Sequence, residues 1–307
     1  MNESASPGTL LEVEHTTHYR YAAPVDLAQH LAYLRPRDDA TQQVQDFELL
    51  IEPAPLHRRS EPDRLGNPRH CFTLLTPHRE LQVRARSRVR VTGALAFDPA
   101  ATLAWEATRE RLRYVAGRPF EAASEFVFAS PFVPLLPALR ELAWPSFTPD
   151  RPVAEASIDL MARIHAEFSY RSASTEIDTP LADVLATRQG VCQDFAHLTI
   201  GALRSMGLAA RYISGYLLTN PPELGAASAP MLGADASHAW VSVWCPMADG
   251  APAQWLKLDP TNNVLPGSGH VRLAIGRDYS DVTPLRGVIR GGGEHRLEVQ
   301  VCTRRVE

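Results

Sequence analysis

Three residues in the second half of the chain have the types and the order of a thiol nucleophile and its helpers. Cys192 follows a glycine turn at Gly190, and His238 and Asp259 come later in the chain. In such a set the cysteine attacks, the histidine moves the proton, and the carboxylate orients the histidine. The pattern indicates an enzyme that acts on amide or ester carbonyls through a thioester.

Cys192 stands where a helix is expected to begin. Unpaired backbone N–H groups and the positive end of the helix dipole favour a thiolate at this position. The same N–H groups can hold the oxyanion of a tetrahedral intermediate, and Gly190 lets the chain turn sharply just before it. The alternative interpretation is an inert cysteine packed at the start of a helix.

His238 and Asp259 are predicted to face each other in a hairpin. A turn at 247–250 between two strand candidates would set His238 directly opposite Asp259. Opposed residues have Cβ atoms about 5 Å apart, close enough for a carboxylate to bind an imidazole N–H. A slip of one residue would turn one partner to the other face. The alternatives are an ordinary buried histidine and a turn carboxylate before Pro260.

A metal site is the main rival chemistry. Zinc could take a mixed ligand set from Cys192, His197, His238 and Asp259. The sequence has no HExxH or CxxC spacing. His197 follows Cys192 by five residues, which places it roughly 140° around the same helix. Neither a metal nor another cofactor is therefore predicted.

Residues beside the proposed nucleophile and histidine are candidates for the walls of a substrate cleft. They are Gln193, Asp194 and Trp240, although the tryptophan could equally pack in the core. A loop at 220–236, rich in Pro, Gly, Ala and Ser, precedes His238 and could cover the cleft. The alternative for this loop is a solvated insertion.

Composition narrows the classes of protein. The chain has 307 residues, of which 45% are hydrophobic, so a sizeable core can form in one large domain or two ordinary ones. A formal net charge of −4 without long charge runs argues against nucleic-acid or anionic-membrane binding. No signal peptide or membrane span is predicted. The cysteines form no CxxC pair, which favours free thiols in a reducing cytoplasm.

Three parts follow one another along the chain. Residues 9–95 alternate apolar and polar side chains and predict a β-rich N-terminal domain of antiparallel strands. Residues 96–152, rich in Ala and Pro, are interpreted as a helical connector that packs against the next part. Residues 153–307 read as helices followed by strands, and form the proposed catalytic core with C-terminal strands. The predicted fold class is α+β.

Several of these segments resemble the transglutaminase-like superfamily. In the core they are Gly190–Phe195, Ala209–Tyr216, His238–Trp240 and Asp259–Asn262, and at the front His15–Tyr21, Leu34–Arg37 and Asp63–Asn67. The front segments are similar to the β-rich N-terminal region of the bacterial proteins of this group. The resemblance implies a papain-like α+β core, with Cys192 on a helix that faces His238 and Asp259 on an antiparallel sheet.

The resemblance also implies roles for individual residues. Cys192 would be the nucleophile, His238 the general base and acid, and Asp259 the orienting carboxylate. The backbone N–H of Cys192 and the side chain of Tyr170 would bind the oxyanion. The chain lacks the upstream tryptophan of animal transglutaminases, with no Trp between Trp144 and Cys192, and it lacks acidic loops typical of calcium sites.

These departures favour hydrolysis of a peptide or protein amide over protein crosslinking. The alternative is a non-catalytic module that binds peptides or assembles with a partner through the same fold. The identity of the substrate and the oligomeric state are left open by the sequence.

Overall fold

The computed structural model describes residues 8–93, 98–117, 119–172, 174–218, 231–233 and 237–306. The strands are β1 (Thr9–Ala32), β2 (Gln42–Glu52), β3 (His57–Pro62), β4 (Pro68–Leu74), β5 (His78–Val91), β6 (Ser169–Tyr170), β7 (Gln189–Gly190), β8 (Ala210–Leu217), β9 (His238–Cys245), β10 (Gln254–Leu258), β11 (His270–Gly276), β12 (Leu285–Gly291) and β13 (His295–Arg305). The α-helices are α1 (Trp105–Leu112), α2 (Pro137–Ala143), α3 (Val153–Glu167), α4 (Leu181–Thr187), α5 (Cys192–Ser205) and α6 (Tyr279–Val282). Short 3₁₀ helices span Pro99–Ala101, Ala122–Val127 and Trp144–Ser146.

β1 is the central strand of a sheet built mainly from the N-terminal part of the chain. Within the described ranges the order is β2-β5-β1-β4-β3, and β12 and β13 also pair with β1. At 24 residues, β1 can carry β5 and β13 along its first half and β4 and β12 along its second. Buried and exposed residues alternate along β5, as in an antiparallel strand with one wet face. The prediction of a β-rich N-terminal region is confirmed.

The last two strands return to this first sheet. Leu285 of β12 pairs with Ala32, and Arg305 of β13 pairs with Leu11. The sequence grouped these strands with the core because pairing between distant segments leaves no local pattern. In the structure, the first sheet is made from both ends of the described chain.

A second antiparallel sheet has the order β10-β9-β8-β11. Helix α5 covers one face, where Leu198 packs in one core with Val241. The other face carries Ile213 and Trp240, which pack with Leu65 from the N-terminal region. Both faces are covered, so every residue of β9 is buried. The predicted α+β fold, with the Cys192 helix on an antiparallel sheet, is confirmed.

Buried polar contacts join the first sheet to the second. Asn67, which is fully buried, donates to the carbonyl of Ile275 at 2.7 Å and accepts the backbone N–H of Ile275 at 2.8 Å. The hydroxyl of Tyr216 lies 2.9 Å from Nδ1 of His15. Separating the sheets would break these hydrogen bonds and expose the apolar contacts around Leu65 to water, which costs free energy. The first sheet is therefore a fixed neighbour of the core.

The connector is tied to the core by the buried guanidinium of Arg204, on α5. It donates to the carbonyl of Phe126 at 2.9 Å and to that of Phe128 at 3.0 Å. It also donates to the carbonyl of Arg277 at 2.6 Å. A charged group held by so many acceptors fixes the position of the connector relative to the helix that begins with Cys192.

Acid should destabilise the fold because several histidines are buried as neutral rings. Burial lowers the pKa of His15, His30, His70 and His197 to about 4. In the unfolded chain these rings regain a pKa of about 6.5. The unfolded state therefore binds protons first as the pH falls, so the free energy of unfolding should drop between pH about 6.5 and 4.

We expect a loss of at least about 3 kcal/mol over that interval, measured by urea titration at pH 7 and at pH 4.5. The variant His15→Gln should show a shallower pH dependence, because one of the rings no longer titrates. Equal unfolding free energies at the two pH values would contradict this expectation.

Candidate active site

Cys192 is the first residue of α5, as predicted. The carboxylate of Asp194 accepts the backbone N–H of Val191 at 2.8 Å and the hydroxyl of Thr175 at 2.6 Å. The Asp194 carboxylate therefore caps the N-terminus of the helix, and the Cys192 sulfur takes no part in the cap. A Cβ atom at Gly190 would lie 2.7 Å from a carboxylate oxygen of Asp194, so the turn before the cysteine requires glycine.

A cavity of about 320 Å³ opens at the start of α5. The predicted site residues Cys192, Gln193, His238 and Tyr170 all line it. The remaining lining residues are Ser172, Val191, Tyr212, Ser214, Gly233, Ser237 and Tyr279. A larger groove of about 660 Å³ lies on the first sheet, but none of the three predicted catalytic residues lines it. Chemistry rather than size therefore marks the candidate site.

His238 occupies the first position of β9, and its ring is buried. Nε2 lies 2.9 Å from Oδ2 of Asp259, and because a carboxylate can only accept, Nε2 carries the proton. Nδ1 has no hydrogen-bond partner among the described residues. The ring thus has one nitrogen fixed by an acid and the other left for a reacting group.

The surroundings of His238 favour its charged form. Burial lowers the pKa of the ring, but the Asp259 carboxylate and the nearby Cys192 sulfur outweigh burial and raise the pKa to about 10. The sulfur acts by proximity, since no hydrogen bond of normal geometry joins it to Nδ1. The Cys192 sulfur itself lies 4.0 Å from the carbonyl oxygen of Ser237. A cysteine and an imidazolium therefore share the cavity.

Asp259 is completely buried at the end of β10. Oδ1 accepts the backbone N–H groups of Thr261 at 3.0 Å and Asn262 at 3.2 Å, and Oδ2 accepts the side-chain amide of Asn262 at 2.9 Å. Burial alone would raise the pKa of this carboxyl, but its contacts with His238 and His270 hold it well below the usual range. Asp259 is thus a carboxylate in a fixed orientation.

The register of the hairpin differs from the predicted one by two residues. Val241 pairs with Leu258, so Asp259 would fall opposite Trp240 rather than His238. The prediction of direct opposition was wrong because the end of β9 turns to the connector. There the N–H of Leu103 donates to the carbonyl of Pro246 at 2.9 Å. Side-chain direction repeats every two residues, so both side chains still share one face and meet diagonally.

Two of the predicted cleft residues have other places in the structure. Asp194 does not line the cavity, because its carboxylate is used to close the helix. Trp240 is 0% exposed, and its ring stacks on His238 with centroids 6.0 Å apart. The indole supports the histidine from behind, where Leu65 covers that face of the sheet.

Residues that the sequence analysis missed also lie at the cavity. Tyr212, Ser214 and Tyr279 line it. Burial raises the pKa of Tyr279 to about 12 and raises that of Tyr212 well above its usual value, so both present neutral hydroxyl groups. Tyr212 and Ser214 belong to a segment that carried the family resemblance, which was the available signal. Tyr279 gave no signal, since it reaches the cavity from the start of α6, beyond β11.

The predicted cover loop at 220–236 lies mostly outside the described residues. At its described part, the N–H of Leu232 donates to the side-chain oxygen of Asn262 at 2.8 Å. A Cβ atom at Gly233 would lie 2.7 Å from Nδ1 of His238, so this segment approaches the ring closely. Gly233 and Ser237 therefore form part of the wall of the cavity.

Of the four residues considered as metal ligands, His197 does not line the cavity that holds Cys192 and His238. Nε2 of His197 lies 3.3 Å from the backbone nitrogen of Tyr279, and its ring stacks on Phe132 at 5.7 Å. In the part of the chain that the structure describes, no group of three or more His, Cys, Asp or Glu side chains has the arrangement of a metal site.

None of the described helices is long and apolar enough to cross a membrane. The cytoplasmic location stays a prediction.

Comparison with known proteins identifies the family to which this chain belongs. Residues 11–90 match the bacterial transglutaminase-like N-terminal region, and residues 145–260 match the transglutaminase-like superfamily. An uncharacterised protein of Mycobacterium tuberculosis is 42% identical over 289 residues, covering 93% of this chain and 89% of that protein. This chain belongs to the transglutaminase-like superfamily.

Two further proteins are also similar to this chain. An uncharacterised protein of Mycobacterium leprae is 31% identical, covering 95% of this chain and 97% of that protein. The crystal structure of a protein from Cytophaga hutchinsonii, assigned provisionally as a cysteine protease, superposes with a TM-score of 0.73. The superposition covers 98% of this chain and 92% of that chain. The sequence identity is 20%, so the likeness concerns the fold alone.

Proposed function

We propose that this transglutaminase-like protein is a cysteine hydrolase of peptide or protein amides, with Cys192, His238 and Asp259 as its catalytic triad. The observation that carries the proposal is the orientation of the His238 ring. Its Nε2–H is bound by Asp259 at 2.9 Å, while Nδ1 has no described partner and its ring lines the same cavity as Cys192. An imidazole held in this way can give and take a proton at the reacting sulfur.

The reaction follows from these positions. The Cys192 thiolate attacks the amide carbonyl carbon, and the C–O double bond opens to an oxyanion. As the C–N bond breaks, Nδ1–H of His238 gives its proton to the amine nitrogen, and a thioester remains on the sulfur. The neutral ring then takes a proton from water, hydroxide attacks the thioester, and the C–S bond breaks to release the acid.

The lining of the cavity favours a neutral amide. Apart from the triad, its described lining residues are uncharged, and the tyrosines Tyr212 and Tyr279 are neutral donors. An amine acceptor such as a lysine side chain would be attracted by a carboxylate, and no carboxylate lines the described cavity. We therefore propose that water, rather than an amine, resolves the thioester.

A panel of peptide and side-chain amides tests this function, with the released amine as the readout. Hydroxylamine added in excess should intercept the thioester and yield a hydroxamate, which shows the covalent intermediate. Iodoacetamide at mildly acidic pH should label Cys192 before Cys71, Cys245 and Cys302. Absence of both turnover and selective labelling would favour a non-catalytic binding module.

Tyr170 is proposed as the second oxyanion donor, beside the backbone N–H of Cys192. It is half-buried and lines the cavity. The variant Tyr170→Phe should lower kcat about 10²-fold and leave KM nearly unchanged, because the oxyanion exists only after the attack. Steady-state kinetics on the best amide of the panel measure both constants.

Tyr114→Phe is the matched control, since Tyr114 is 82% exposed. It should keep the native kcat. An unchanged kcat in Tyr170→Phe would assign the second donor elsewhere, with Tyr212 and Tyr279 as the next hydroxyl groups to test.

A further inference from the structure

A second histidine contacts the carboxylate of the triad. Nε2 of His270 lies 3.2 Å from Oδ2 of Asp259, the same oxygen that binds Nε2 of His238 at 2.9 Å. His270 is the first residue of β11, at the opposite edge of the second sheet from β10, which leads to Asp259. The chain between them crosses the end of the sheet and brings the two side chains together.

The surroundings of His270 keep its ring neutral, with the proton on Nε2. The ring is buried, and burial together with the nearby charge of His238 lowers its pKa despite the contact with Asp259. A neutral imidazole has one N–H, and since the carboxylate only accepts, that proton lies on Nε2. His270 therefore binds Asp259 without neutralising the charge that His238 needs.

His270 also contacts the ring that supports His238. Its imidazole meets the indole of Trp240 edge-on, with centroids 5.4 Å apart, and the same indole stacks on His238 with centroids 6.0 Å apart. The hydrogen bond of His270 thus acts on Asp259, and its packing acts on His238 through Trp240. In the described part of the chain, five hydrogen bonds converge on the carboxylate of Asp259, and His270 supplies the only side-chain donor from β11.

Given the proposed function, we propose that His270 is a positioning residue. Its Nε2–H holds Asp259 and its ring holds Trp240. Together these contacts direct Nδ1 of His238 at Cys192. His270 touches neither the thiol nor the cavity, since it is not among the residues that line it. Its effect passes through Asp259. A residue that only supplied a hydrogen bond to a buried carboxylate would leave the reactivity of the Cys192 sulfur unchanged. A positioning residue changes that reactivity.

Two variants separate the hydrogen bond from the packing. His270→Gln keeps an N–H donor near the position of Nε2, whereas His270→Phe keeps a ring against Trp240 and removes the donor. The rate constant for alkylation of Cys192 by iodoacetamide should fall about 10-fold in His270→Phe and stay within about threefold of native in His270→Gln. In amide hydrolysis, kcat should follow the same order, with KM within about twofold of native.

The alkylation readout needs no substrate, so it separates this proposal from the hydrolase proposal. If Cys192 alkylation depends on His270 while no amide is cleaved, the hydrolase proposal fails and the positioning role stands. If amides are cleaved and His270→Phe matches the native rates, the positioning role is overturned. A lower melting temperature with unchanged rate constants per folded molecule would also overturn it.

A measurement on the native protein covers the case in which His270→Phe does not fold. Nitrogen-15 NMR of labelled histidines reports the tautomer of each ring, and the spectrum of His270→Gln assigns the His270 signals. The proton of His270 should lie on Nε2 at neutral pH. A proton on Nδ1, or a charged ring, would overturn the proposal.

Discussion

Replacing Cys192 by alanine is expected to abolish amide hydrolysis, with kcat falling by about 10⁴-fold or more while the chain stays folded. The sulfur is the proposed nucleophile, and no other described side chain at the cavity can form the thioester. The fold should survive because the helix start is closed by Asp194 and Val191 rather than by the cysteine. Steady-state kinetics measure kcat, and thermal unfolding shows whether the variant is still folded.

Cys302→Ala is the matched control, because Cys302 is exposed on β13 and lies outside the cavity. It should retain native turnover. If Cys192→Ala also hydrolysed the amide at a native rate, the nucleophile would have to be another group, and the triad would be excluded.

The second large effect is expected from Asp259→Asn, which should lower kcat by about 10³-fold or more. An amide presents hydrogens where donors from His238, His270 and Asn262 now converge on Oδ2. The ring of His238 would lose both its anchor and the charge that stabilises its protonated form. Nδ1 would no longer be held toward the sulfur.

The same variant should change the dependence of hydrolysis on pH. His238 must carry a proton for the leaving amine, so native activity should decline as the pH rises through its pKa of about 10. The Asp259 charge contributes to that raised pKa, so its removal moves the alkaline decline to lower pH. Asp249→Asn, in the exposed turn of the hairpin, is the control. An unshifted alkaline limb in Asp259→Asn would contradict the assigned role.

The stability of the native protein should respond to the same pair. The folded pKa of His238 lies above the unfolded value of 6.5, so its contribution is complete below pH about 6.5 and is lost as the pH rises toward 10. The folded pKa of Asp259 lies below 3.8, so its contribution is present above that value and is lost in stronger acid. The pair therefore stabilises the fold across the range in which the enzyme would work.

Local patterns predicted the elements that carry the proposed triad. Gly190 and the helical pattern after it located the start of α5, and the two strand candidates on either side of the predicted turn at 247–250 correspond to β9 and β10. The hairpin register was predicted two residues out. The error kept the shared face because facing depends on odd or even spacing, and a shift of two preserves it.

Contacts between distant segments could not be predicted. Trp240 is buried because the N-terminal region covers the far side of the second sheet, and no pattern within β9 reveals that cover. His270 follows Asp259 by 11 residues and meets it only because the chain crosses the end of the sheet. Tyr279 reaches the cavity by a similar route. Such positions depend on topology, which pairs residues without a fixed spacing.

The pairing of β1 with strands from the far end of the chain also bears on biosynthesis. β1 is translated before β12 and β13, which cover one of its edges along both halves. Until then a long row of backbone N–H and C=O groups stands open, and such rows recruit strands from other molecules. The nascent protein must therefore keep this edge of β1 away from other chains until β12 and β13 have been translated, and the first sheet is completed only then.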